Sequence, residues 1–139
     1  MTAAATRTAI LRYAMMTVGV IFILGIYTLA QVWPSGRSWG VGHSHYWPMI
    51  LGVYATLGVF LIRASRDPLA NSSLIWFTIW SSVVHALIMA AMAVGDPAER
   101  GHLVGDVPAL LLVAGGLAIL SRGAKAALVV TKPAARRAA

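Results

Sequence analysis

The 139-residue chain has no cysteine, which excludes disulfides, thiolate metal sites and cysteine nucleophiles. It is also short of charge. Charged residues make up 11% of it, against about 25% in a typical soluble domain. Four residues are acidic, and three of them, Asp96, Glu99 and Asp106, fall in one short stretch. There is no glycine-rich phosphate loop. Ser81 and Ser82 sit near His85, but no acid lies at that level to orient the imidazole, so a Ser-His-acid triad is excluded. An enzyme working alone is not expected, and no cofactor is predicted.

Apolar residues are what the chain has in excess, at 59%. A helix rises about 1.5 Å per residue, so roughly 20 apolar residues cross the hydrocarbon core of a bilayer. Four runs have this character: about 13–32, 46–63, 73–94 and 104–121. The fourth is the shortest and opens near an acid, Asp106. The basic segment before the first run resembles the start of a signal peptide. The run itself is longer than the usual apolar region, and no A-x-A site follows it, so it reads as a retained helix. The expected fold is all-α: an integral membrane four-transmembrane-helix bundle, forming one domain over 1–139.

The net charge of +7 is distributed as in a membrane protein, not as in a nucleic-acid binder. Arg7 and Arg12 precede the first run, and Arg63 and Arg66 follow the second. Arg122, Lys125, Lys132, Arg136 and Arg137 follow the fourth. Arg37 and Arg100 fall on the opposite side. The positive-inside rule then puts both termini in the cytoplasm and the loops at about 33–45 and 95–103 outside. The basic residues also suit anionic lipid. The tail over about 122–139 shows no clear span and is expected on the inner surface or disordered.

Turn chemistry separates the runs. In "RDPLANSS", Asp67-Pro68 turns the chain, and Asn71 or Ser72 can cap the next helix. In "GDPAER", Asp96 is a cap ahead of Pro97 with Glu99 at the third position, the pattern of a short helical turn. Trp33, Trp39 and Trp47 cluster on the outer side, where indoles suit the interface. A faint repeat relates "GHSHYWPMIL" to "GHLVGDVPALL". It is consistent with two related hairpins, and equally with chance.

The third run carries a stripe of small residues, Thr78, Ser82, Ala86 and Ala90, of the kind that lets helices approach closely in lipid. Beside it run Ser81, His85 and Met89, which directs His85 into the bundle or its edge. Trp76 and Trp80, also four apart, are expected nearer the inner side as anchors or packing residues. An ionisable group in a span raises a functional question by default. His85 lies near the midplane. It is expected to be a neutral imidazole hydrogen-bonded to Ser81, Ser82 or Tyr54, or else a proton-relay or ligand-binding group. An axial haem ligand is a further option, although no second histidine lies at that depth. At the outer boundary, His102 and Asp106 are four apart and form a possible metal-ligand pair that His43 or His45 could complete. The alternative is that the loop histidines are solvated and Asp106 caps the fourth helix.

The strings "YWPMILGVYATLGVFL" and "RDPLANSSLIWFTIWSSVVHALIMAAMA" resemble a group of small four-helix bacterial membrane proteins known as a domain of unknown function. The likeness covers about residues 45–95. It implies the fold and a bacterial cytoplasmic membrane, and brings no activity, substrate or cofactor. Two roles remain expected first: an accessory or structural subunit of a membrane complex, or a homo-oligomer, with the bilayer and other subunits or itself as partners. A small transporter or proton-conducting protein using His85 is the alternative, and a metal-binding membrane protein is the third.

Overall fold

The computed structural model describes residues 2–32 and 46–137, and every regular element among them is helical. Helix α1 spans Ala3–Val20 and passes through a π-helical turn, Ile21–Gly25, into α2, Ile26–Val32. Helix α3 spans Tyr46–Ala64, and α4 spans Ser72–Gly95. A 3-10 turn, Pro97–Leu103, leads into α5, Asp106–Arg137. The loop histidines His43 and His45, and the outer tryptophans Trp33 and Trp39, lie outside the described residues.

Local chemistry accounts for several ends. Thr2 caps α1 by accepting from the Ala5 N–H at 3.3 Å. Asp96 begins the 3-10 turn and accepts from the Ala98 N–H at 2.9 Å, as the acid-proline pattern predicts. Asn71 holds the cap position of α4, but its side chain does not cap. It donates instead to the Asp67 carbonyl at 2.8 Å, while the Asp67 carboxylate accepts from the Ala70 N–H at 3.2 Å. The loop is thus closed on itself. Pro48 and Pro108 each stand third in their helices, where a missing N–H breaks no ladder.

Three helices are long and apolar enough to cross a membrane: Ala3–Thr28, Ser72–Gly95 and Pro97–Ala127. The run expected to be shortest, about 104–121, instead falls, from Asp106 onward, within the longest helix. The tail is not a separate segment either, because α5 continues through it to Arg137. At 32 residues α5 is about 48 Å long, well beyond a hydrocarbon core of about 30 Å. Its polar end therefore outruns any bilayer its apolar part could span. With α1, the π turn and α2 counted as one continuous helix, the shortest of the four is α3, with 19 residues.

The helices pack as two antiparallel hairpins. Helix α3 lies against α1 and the π turn, and α4 lies against α5. Contacts between α1 and α5 join the hairpins, whereas α3 and α4 touch sparsely. Leu11, Met15, Leu61, Ile75 and Leu117 fill the centre. The Arg7 guanidinium donates to the Gly123 carbonyl at 3.4 Å, and the Arg122 guanidinium lies 5.6 Å from the Trp76 ring. These contacts bring the start of α1, the start of α4 and the later part of α5 to one end of the bundle. Trp76 thus packs at that end, while Trp80 is exposed.

Hairpin α1–α3 closes around two glycines. A Cβ built on Gly58 would stand 2.5 Å from the Gly19 carbonyl oxygen, and one on Gly19 would stand 2.7 Å from the Gly58 oxygen. The two backbones meet directly there, as small residues permit in lipid.

The small stripe on α4 faces inward. Thr78, Ser82 and Ala86 are each no more than 1% exposed, and Ala90 is half-buried. Atoms of this same chain cover them, and α4 packs mainly on α5. The stripe therefore closes the bundle. Ala86→Leu is expected to lower thermal stability by roughly 2 kcal/mol through overpacking. Native mass should not change. A selective loss of association with unchanged melting would contradict this assignment.

Candidate functional site

Hydroxyl groups on these helices mostly serve their own backbone. Thr56 donates to the Gly52 carbonyl at 2.8 Å, Thr78 to Leu74 at 2.9 Å and Ser121 to Ala118 at 3.1 Å. In a phase without water, this is how a hydroxyl is satisfied within one helix. Ser81 does the same, donating to the Thr78 carbonyl at 3.2 Å, and so does not serve His85.

His85 pairs with Tyr54. The Tyr54 hydroxyl and His85 Nδ1 are 3.1 Å apart, and the rings meet edge to face with centroids 5.6 Å apart. Tyr54 also meets Phe22 edge to face at 4.9 Å. Phe22 belongs to the π turn, which turns it into the core. Three helices thus supply an aromatic row, Phe22–Tyr54–His85. Of the three candidates for bonding His85, the one at matching depth on the neighbouring hairpin is used. Both members of the pair are half-buried, at the seam where α3 and α4 barely touch.

A second polar group sits at the opposite end from Arg7 and Arg122. His102, in the 3-10 turn, is 2% exposed. Its Nδ1 stands 2.5 Å from the Asp106 carboxylate, and its Nε2 stands 2.7 Å from the Glu99 carboxylate. The Nδ1 contact with Asp106 has hydrogen-bond geometry, and the Nε2 contact with Glu99 does not. Glu99 is a partner that the residue spacing did not indicate. The contacts tie the turn to the first residue of α5. Asp106 is the first residue of α5, and its carboxylate lies on His102. His102 and Asp106 do come together, in contact with each other. Among the described residues, no three His, Asp or Glu side chains form a group able to hold a metal.

Tyr54 and His85 stand midway along α3 and α4, and His102 with Asp106 stands where the 3-10 turn meets α5. They form a line running from the acidic end toward the middle of the bundle, not a single cluster.

A family of unknown function (DUF6632) matches residues 5–138, so the likeness extends through the first and last helices as well as the central segment. No curated protein and no solved structure matches the chain.

Proposed function

The chain belongs to this family of unknown function, and we propose that it is a four-span membrane protein that works by helix packing, as an accessory or structural subunit of a membrane complex or as a homo-oligomer. One observation carries the reading. Gly52 on α3, and Gly115 and Gly116 on α5, lie exposed within helices, and a Cβ at any of them would meet nothing within 4 Å among the described residues. Glycine inside a helix costs about 1 kcal/mol relative to alanine. Gly19 and Gly58 offset that by letting α1 and α3 touch. The three outward glycines have no such internal return, and close approach by a helix of another chain supplies one. Around them lie exposed Met49, Val53 and Phe60 on α3, and exposed Leu112 and Ile119 on α5. Gly52→Leu and Gly115→Leu are expected to reduce association without lowering the melting temperature. Unchanged association in both would end this reading.

The proposed topology has four spans and both termini in the cytoplasm of a bacterial cell. At about 28 Å, α3 is long enough to cross most of the hydrocarbon. The arginine-bearing end is the inner one by the positive-inside rule. Because the chain lacks cysteine, single cysteines report cleanly. Ser38→Cys and Ala138→Cys should label from opposite sides of the membrane. Labelling from the same side contradicts the topology.

The polar line favours a second reading, in which the protein moves protons through His85. Neither Gln nor Leu titrates near neutral pH. His85→Gln and His85→Leu should then both abolish proton flux in reconstituted vesicles while melting as wild type. If flux instead follows stability in proportion, the Tyr54–His85 bond is structural.

A further inference from the structure

We propose that the seam between α3 and α4, at Tyr54 and His85, is a lateral binding site for quinone-like compounds: flat, apolar molecules dissolved in the membrane and bearing a carbonyl oxygen. The inference rests on the proposed four-span membrane topology and is independent of the packing role.

It starts from hydrogen counting. A neutral tyrosine and a neutral imidazole carry two polar hydrogens between them, and the contact at 3.1 Å uses one. If the Tyr54 hydroxyl donates to Nδ1, the His85 Nε2–H is left over. If Nδ1–H donates to the hydroxyl, the Tyr54 O–H is left over. Either tautomer leaves one donor, and neither side chain has a further hydrogen-bond partner among the described residues. Both are half-buried, so the pair opens onto the outside of the bundle. That outside is apolar. Val84 and Ile88 flank His85 on α4, and Val53 flanks Tyr54 on α3, all exposed.

Depth decides what could accept. His85 is ten residues from Gly95, about 15 Å along the helix axis, which is half of a hydrocarbon core of about 30 Å. Water does not supply an acceptor at that level. Lipid ester carbonyls lie near the interface and are out of reach. The missing acceptor is therefore an oxygen on a molecule that dissolves in the hydrocarbon itself. The surroundings favour a flat ring. Phe22, Tyr54 and His85 stand edge to face in a row, an arrangement that pairs readily with another π system. The sparse contact between α3 and α4 leaves the pair open from the side.

The test uses the full chain in detergent, with 1,4-naphthoquinone as probe and naphthalene as the control that lacks only the oxygens. Naphthoquinone is expected to raise the melting temperature saturably and to shift one histidine 15N resonance, which is absent from His85→Leu. Naphthalene should do neither. His85→Gln, which keeps an N–H donor, should retain a weakened response, and His85→Leu should lose it. An equal response to naphthalene means simple partitioning and overturns the proposal. So does a full response in His85→Leu. Should that variant fail to fold, the comparison of the two probes on the wild-type protein still decides.

Discussion

Gly58→Leu is expected to separate α1 from α3 and to destabilise the protein by about 3 kcal/mol, the upper part of the range for overpacking. The reason is what the new atoms would meet. The first carbon alone would stand 2.5 Å from a backbone oxygen, that of Gly19, and 2.8 Å from Ile23 Cγ1. A flexible side chain can swing aside, but a carbonyl in a helix moves only with the helix. The displacement would be passed to the π turn, because Phe22 Cβ also lies 3.2 Å from the same point. The Phe22–Tyr54 contact should loosen, and Tyr54 with it. Thermal melting of Gly58→Leu beside Gly52→Leu separates crowding from propensity, since both lose a helical glycine on α3. A large drop at position 58 and a negligible one at 52 is the expected result. Equal melting of the two variants would contradict the helix crossing.

The second large effect is expected at His102. His102→Leu removes the imidazole that stands between Glu99 and Asp106 and leaves two carboxylates facing a buried apolar side chain. Losing a buried hydrogen-bond partner costs about 1–3 kcal/mol. The carboxylates are partly exposed, with side chains 22% and 26% accessible, so solvent relieves some of this. A net loss of about 2 kcal/mol is expected, concentrated in the Pro97–Leu103 turn. Hydrogen exchange there should speed up more than in the centre of α4. A double-mutant cycle with Asp106→Asn should show that the two losses overlap. Strict additivity would mean that the contact carries no energy.

Much of this arrangement is legible in the chain because long apolar runs obey simple rules. Apolar runs mark the helices, and the acid-proline pair at Asp96 marks a turn whichever way the bundle packs. Tyr54 and His85 are legible as partners because equal depth in two spans puts them at one level. The pairing of His102 with Asp106 follows from spacing, but its character does not. A separation of four serves a ligand pair and a mutual hydrogen bond equally well, and the choice depends on where the 3-10 turn ends and α5 begins. The small stripe Thr78, Ser82, Ala86 and Ala90 has the same ambiguity. The pattern admits a close neighbour without saying whether that neighbour belongs to the same chain. The crossing of Gly19 and Gly58 was hidden more deeply, since it joins glycines 39 positions apart on helices whose relative rotation depends on the π turn. Arg122 on Trp76 is hidden for a similar reason. It required α5 to continue through the basic segment as a helix, which a polar composition alone does not suggest.

The outward glycines make association the natural thing to measure. Native mass spectrometry of the gently solubilised wild-type chain tests it most directly. A homo-oligomer, or a complex with other membrane subunits, should appear well above the 14.7 kDa of a single chain, and Gly52→Leu should shift it downward. A wild-type protein found at 14.7 kDa alone, across detergents and in native lipid, would contradict the proposal that this molecule works by packing against others.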